Sequence, residues 1–419
     1  MAYIATRECP AIQSIKRETV CCDFDPDNER SERLAKALFG KTGRELQKLS
    51  TFRYTKEERP VEKGLQRPEK VEIPSSPKGI AKTRKVYSLY ALAEGYNDFY
   101  RTPMAAHATD NLLAFSRGTD FFFANKRFEN ITIIRKSKGE PEGFSIQWHH
   151  EELLEGCING SLCVWNVDKL EKAEEWNLSK KGATVRDIAV DVEKGRVAAG
   201  LTSGHIKVLD RRIGVKNIAT LSFKNEIVDK VAFSKIDHYM AVGLDSGYTA
   251  IYDVRNVREK KPLHELPMIS EAACSVLQFL PWSRDHILVG HGRAAPILAT
   301  FNVKKGVLEQ QIHTGAQICS MQLSEEYEEV LCTHGFYTDH EERQKDVANS
   351  ITLWKWDRVK KGLSFSDTVF QGTERMLYST LCSDKRSVVV LEEPINVYVF
   401  ENLWPKQKRS TLTEEWTIR

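Results

Sequence analysis

The chain has 419 residues, 41% of them apolar and 28% charged, with a formal net charge of +3, so it can bury a large core in two ordinary domains or in one built of repeats. Its basic residues are scattered among acids rather than gathered into a stripe with interleaved aromatics, which argues against nucleic acid as a partner. No apolar run reaches the roughly 18 residues of a membrane span. The opening MAYIATRECPAIQSIKR lacks the apolar stretch of a signal peptide, and nine cysteines at irregular spacings point to reduced thiols in the cytoplasm or nucleus.

Residues 1–95 carry 19 Lys and Arg against 14 Asp and Glu and are punctuated by Pro60, Pro68, Pro74 and Pro77. Such a stretch predicts an N-terminal arm, largely disordered on its own. Two islands interrupt it. Residues 1–7 place Tyr3 and Ile4 near Arg7, and residues 32–52 set Leu34, Leu38, Leu46 and Leu49 at helical spacing broken at Gly40 and Gly43. Islands of this kind either fold on a partner or stay as transient helix.

From Asn97 the hydrophobic period changes to two and an internal repeat begins. Ala199-Gly-Leu-Thr-Ser-Gly204-His-Ile-Lys-Val-Leu-Asp210 returns, 43 residues on, as Val242-Gly-Leu-Asp-Ser-Gly247-Tyr-Thr-Ala-Ile-Tyr-Asp253. The strand-ending dipeptide recurs at Trp165-Asn166, Leu209-Asp210, Tyr252-Asp253, Phe301-Asn302, Trp354-Lys355 and Phe400-Glu401. These spacings fit the WD-repeat period of about 40–45 residues once loops are inserted. A degenerate unit at Leu112 to Phe115 and Phe121 to Ala124 brings the count to seven. The predicted fold is all-β, a seven-bladed WD-repeat β-propeller over 96–404, with a tail at 405–419. Gly160, Gly204 and Gly247 fall between strand segments, where a tight hairpin needs a residue that tolerates positive φ.

Fragments that suggest chemistry are better explained by structure. Gly40-Lys41-Thr42 resembles half a phosphate loop, but Ala35 stands where the first glycine belongs and a helical pattern precedes it. His149-His150-Glu151-Glu152, and His334 with His340 and Glu341, lack metal-site spacing and are expected to be turn and loop residues. Cys157 and Cys163 flank a hairpin as small apolar fillers, and no CxxC pair exists. Neither enzyme activity nor a cofactor or metal is expected.

Three segments then carry a resemblance. Thr314-Gly-Ala-Gln-Ile-Cys319, Thr333-His-Gly-Phe336 and Ile351-Thr-Leu-Trp-Lys-Trp356 are similar to the sixth blade of the fizzy and fizzy-related proteins, the activators of the anaphase-promoting complex (APC/C), which read TGSQVCxL, STHGY or SGHGF, and IxLWKYP. Relative to that family, Tyr337 to Asn349 is a charged insertion. Gly290-His-Gly292 before Phe301-Asn302 resembles its fifth blade. Arg84-Lys-Val86, Ala91-Leu-Ala93 and Asn97-Asp-Phe-Tyr100 resemble its RKI, VLDAP and DDFYLN motifs, and Leu34 to Phe52 its short amphipathic segment.

The resemblance implies the functional residues. Residues 1–7 keep Tyr3, Ile4 and Arg7 of the family's C box, DR(F/Y)IPxR, without its Asp, Arg and Pro, and the chain ends in the family's Ile418-Arg419 tail. These five residues are the implied APC/C contacts. Asp98, with Glu392 and Glu393, is the implied acidic site for the arginine of an RxxL destruction box. Arg375 matches the arginine of the family's KEN-box site, where Asp245 replaces an asparagine and Arg293 a threonine. Those departures imply that KEN is not read in the usual way.

The sequence is thus identified as a divergent fizzy-related member, of a specialised meiotic kind such as the insect Cortex proteins. Its expected role is an APC/C activator that recruits cyclin-like and other degron-bearing substrates as a monomer within a large complex, in cytoplasm and nucleus. The alternative is a WD-repeat scaffold that no longer binds the APC/C.

Overall fold

The period-two stretches fold into seven antiparallel sheets joined as the blades of a ring. The computed structural model describes residues 101–405, apart from 129–130, 138, 180–181, 213–215, 338–346 and 394–395, together with the strands Tyr3–Ile4 and Thr83–Ser88. The expected segment at 32–52, Arg7, Asp98, Ile418 and Arg419 lie outside the described residues. Blades 1 to 6 span 104–135, 143–177, 185–222, 228–265, 274–313 and 316–371, each contributing four consecutive strands. Each blade starts with its innermost strand and steps outward. Every innermost strand touches the next, and Met376–Leu381 of blade 7 touches Met104–Ala106 of blade 1, which closes the ring.

The repeat is exact in register. Gly200 pairs with Ile206 in blade 3 and Gly243 with Thr249 in blade 4, the same pairing 43 residues later. The longer interval between Tyr252-Asp253 and Phe301-Asn302 includes a short 3-10 helix, Val254–Glu259, between the third and fourth strands of blade 4, whose start is capped by the Asp253 carboxylate accepting from the Arg255 N–H at 2.9 Å. The third strand of blade 6, Ser350–Asp357, runs on past the dipeptide expected to end it.

Gly160, Gly204 and Gly247 adopt φ of +85°, +73° and +84°, as the hairpins required. At Gly204 a side chain would also collide with the carbonyl oxygen of Phe223, whereas at Gly118, with φ of +56°, nothing lies within 4 Å. Gly118→Ala should therefore cost only the left-handed strain, about 1 kcal/mol, and Gly204→Ala about 3 kcal/mol. Thermal unfolding of the two variants checks the difference, and equal melting shifts would contradict it.

Ring closure draws on both halves of the chain. Val388–Glu392 and Asn396–Glu401 supply strands of blade 7, as expected, but its outermost strand is Thr83–Ser88, which pairs antiparallel from Thr83 opposite Glu401 to Ser88 opposite Asn396. The closing strand thus comes from upstream of residue 96, where the propeller was expected to begin. Blades 1 and 7 share one apolar core, with Met104, Leu113 and Phe115 against Leu377, Val389, Leu391 and Val399. Burying such a stripe removes apolar area from water at about 25 cal/mol per Å². The Lys126 ammonium meets Asp384 at 2.6 Å, and the Ala106 N–H donates to Thr380 Oγ1 at 3.2 Å across the same seam.

Blades 1 and 2 meet over a charged pair sealed from solvent. Lys136 Nζ lies 2.7 Å from Glu155 Oε1, donates to the Pro141 carbonyl at 2.6 Å and sits 5.3 Å from the centre of the Phe121 ring. Trp165 Nε1 donates to the other Glu155 oxygen at 3.0 Å. Beside them the thiols of Cys157 and Cys163 are 3.8 Å apart and buried, filling space as expected.

Candidate functional site

In a four-stranded antiparallel blade, the turn between second and third strands and the link to the next blade return to the same face of the ring. That face, here the upper one, carries every described residue of the expected degron-binding set. Arg375 lies in the link between blades 6 and 7, Glu392 and Glu393 at the middle turn of blade 7, Arg293 at that of blade 5 and Asp245 at that of blade 4.

Three of these residues come together around one that the sequence reading did not single out as a contact. The ring of Phe336, 39% exposed, has the Arg375 guanidinium 4.6 Å from its centre and that of Arg293 at 5.7 Å. Guanidinium groups at these distances are drawn to the negative face of the ring. Arg375 is itself almost fully buried, and its Nε donates to Glu393 Oε2 while the Glu393 N–H donates to the Arg375 carbonyl at 2.9 Å. The result is an exposed aromatic platform with a cationic rim and one carboxylate.

Beneath it lies a second residue that was missed. Gln317 is 0% exposed, and neither its amide oxygen nor its nitrogen has a hydrogen-bond partner. An unpaired buried amide costs roughly 1–3 kcal/mol. A Cβ at Gly335 would come within 3.1 Å of the Gln317 oxygen and 3.6 Å of Arg375 Cδ, so the strand passes over the site without side-chain bulk. The signal was a glutamine at the second position of an innermost strand, Ala316–Ser324, amid buried residues. The ends of the blade 6 insertion are tied beside the platform, with the Asn349 N–H donating to the Gly335 carbonyl at 3.0 Å and Asn349 Nδ2 to the Thr373 carbonyl at 3.0 Å.

The remaining expected residues are placed differently. Glu392 is buried, and its carboxylate accepts from Tyr398 OH at 2.8 Å, Asn396 Nδ2 at 2.9 Å and the Glu374 N–H at 3.4 Å. Asp245 stands apart from the platform and accepts from the Ile227 N–H at 2.8 Å. Tyr3 and Ile4 form a two-residue strand against the outermost strand of blade 1.

Burial holds a thiol and an imidazole near the platform in their neutral forms. Burial pushes the Cys319 thiol up to about 12 and the His334 imidazole down to about 4. His334 is not the loop residue expected: it lies fully buried in Glu329–Tyr337 with Nε2 2.7 Å from Thr352 Oγ1. His149 and His150 do flank a turn, and burial and the Arg211 charge hold His149 down at about 4. A Ser283–His286–Glu309 chain, at 2.6 and 2.5 Å, uses the imidazole to tie a turn of blade 5 to its outer strand, Val307–His313.

Near the axis of the ring, Asp229 is buried in the innermost strand of blade 4, with Oδ1 accepting from Arg186 Nε at 2.9 Å and Oδ2 unpartnered. Burial, only partly offset by Arg186, pushes it up to about 6 from the ordinary 3.8. A carboxyl raised in the folded state contributes stability that is present below about pH 4 and lost as pH rises through about 6, here about 2–3 kcal/mol. Urea midpoints between pH 4 and 7 should fall accordingly in the native protein and flatten in Asp229→Asn. An unchanged pH slope in the variant would assign the effect elsewhere.

No family model matches the chain. Among individual proteins, WD repeat-containing protein srw1 of Schizosaccharomyces pombe is 21% identical over 307 residues, covering 72% of this chain and 51% of its own length. Meiotic fizzy-related protein 1 of the same yeast is 22% identical over 320 residues, 75% of this chain and 70% of its own. Anaphase-promoting complex subunit cdc20 of Dictyostelium discoideum is 22% identical over 70% of this chain and 55% of its own length. This chain is thus similar to proteins named as fizzy-related and cdc20, at 21–22% identity. A chain in the crystal structure of a mitotic checkpoint complex superposes with a TM-score of 0.66 at 20% identity, covering 82% of this chain and 99% of that one, which matches the seven-bladed fold. The chain spans only about half the length of srw1 and of the Dictyostelium protein.

Proposed function

We propose that this protein is a substrate-recruiting activator of the APC/C, an adaptor with no chemistry of its own. The observation that carries the reading is the platform of Phe336, Arg375, Arg293 and Glu393 above the unsatisfied Gln317, a site suited to an extended peptide on a fizzy-type ring. Relatives named as an APC/C subunit and as cofactors of the APC complex support it. Tyr3, Ile4, Arg7, Ile418 and Arg419 would hold the APC/C while the upper face holds a degron. Two anchors on one adaptor raise the effective concentration of substrate at the ligase without a new contact.

Because Glu392 already serves three donors within blade 7, the arginine of a destruction box falls to Asp98 and Glu393 in this reading. The relative named as a meiotic fizzy-related protein favours work in meiosis, and reduced thiols favour cytoplasm and nucleus.

Capture of the APC/C by the full chain and by a version lacking Ile418 and Arg419 tests the proposal. Strong capture that drops about tenfold or more without the two residues is expected. Equal capture by both overturns the role of the tail. Capture by neither favours the scaffold reading, which the missing Asp, Arg and Pro of the C box support.

A further inference from the structure

Every blade ends in an edge strand, and all seven of these strands are short or carry charge. Thr83–Ser88 has Arg84 and Lys85, Glu171–Asn177 three glutamates and a lysine, Lys216–Ser222 its lysine, Val307–His313 its Glu309 and Gly362–Gln371 its Asp367, while His264–Glu265 is two residues long. Charge and brevity are the usual protection of an edge against pairing with further chain. The outer strand of blade 1, Ile131–Arg135, has its one charge at its last residue, Arg135, and the run before it, Ile131-Thr132-Ile133-Ile134, is β-branched throughout, a composition prone to accept another strand.

It does accept one. Tyr3–Ile4 runs antiparallel along it, Tyr3 opposite Arg135 and Ile4 opposite Ile134, so among the described residues blade 1 has five strands where every other blade has four. An aromatic and a β-branched residue in sequence suit a strand, and backbone pairing supplies the attraction.

We infer that the outer edge of blade 1 is a docking strand for residues 3–4 of the same chain, and that this pairing competes with APC/C capture for those two residues. The competition rests on the function proposed above; the pairing does not. Two residue pairs make few hydrogen bonds, so the docked state is readily reversible and a partner that binds residues 1–7 displaces it. The edge then works as a store that covers an association-prone strand while the arm is idle.

Amide hydrogen exchange tests both clauses on the same peptide, Ile131–Arg135. In the full chain its amides should exchange about threefold or more slowly than in a variant lacking residues 1–7, and a synthetic peptide MAYIATR added to that variant should restore protection. Identical exchange with and without residues 1–7 overturns the docking. Adding purified APC/C to the full chain should raise exchange at Ile131–Arg135 to the rate of the shortened variant. Protection that persists in the bound complex overturns the competition. If the APC/C does not bind at all, the activator reading fails and the competition with it, while the comparison with the shortened variant still decides the docking.

Discussion

Lys136→Met should lower the stability of the propeller by about 3–5 kcal/mol at neutral pH, because it strips a fully buried carboxylate of its paired cation. The Lys136 ammonium and the Trp165 indole are what Glu155 has in place of water. Burial already raises the Glu155 carboxyl despite the opposing pull of Lys136, and removing that pull raises it further. A raised carboxyl loses its stabilising contribution as pH rises, so the deficit should be larger at pH 8 than at pH 5.5. The double variant Lys136→Met with Glu155→Gln keeps an acceptor for Trp165 without the charge and should recover most of the loss. Urea midpoints of the three proteins at the two pH values measure this. A Lys136→Met variant as stable as the native protein would show that water reaches the pair.

Arg375→Ala should weaken binding of a degron peptide about 30-fold or more while leaving the ring folded. Two losses add at one place: Phe336 loses the guanidinium 4.6 Å from its ring centre, and Glu393 loses the partner that holds it. Removing one member of a hydrogen-bonded charge pair at an interface costs roughly 2–5 kcal/mol, and 2 kcal/mol is about 30-fold in affinity. Arg375→Lys should not rescue, since an ammonium cannot lie flat against a ring and hold a carboxylate in the same plane. Fluorescence anisotropy with a labelled peptide gives the affinities, and a melting scan checks the fold. Unchanged affinity in Arg375→Ala would move the peptide site away from Phe336.

The repeating blades were legible because their signal is local. The alternation and glycine hairpins around Gly204 and Gly247 lie within a dozen residues, and sequence periodicity reports such features well. The closing strand Thr83–Ser88 was hidden because an edge strand bearing Arg84 and Lys85 reads like the charged arm before it, and its partner Asn396–Glu401 lies at the other end of the chain. The Lys136–Glu155 pair was hidden for a related reason: Lys136 lies in the link after blade 1 and Glu155 in a strand of blade 2, and only ring packing removes water from between them.

The candidate site was legible in its members and not in its arrangement. Arg375, Arg293 and Glu393 were each expected on degron duty, yet the aromatic ring and the buried Gln317 that organise them come from blade 6. Glu392 and Glu393 are neighbours whose fates differ because Glu392 ends the strand Val388–Glu392 pointing into the blade, whereas Glu393 has already turned toward Arg375. A one-residue difference of that kind is decided by where a strand stops, which composition does not reveal.

The strand exchange within blade 7 also sets the order in which the molecule can be made. Thr83–Ser88 leaves the ribosome early but has no place to go until Asn396–Glu401 emerges, so six blades are synthesised before the seam can shut. During that interval the apolar flank of blade 1, with Met104, Leu113 and Phe115, faces water rather than Leu377 and Val389. Synthesis therefore passes through an open horseshoe whose two sticky ends need shielding, and a chain cut short within blade 7 would never leave that state.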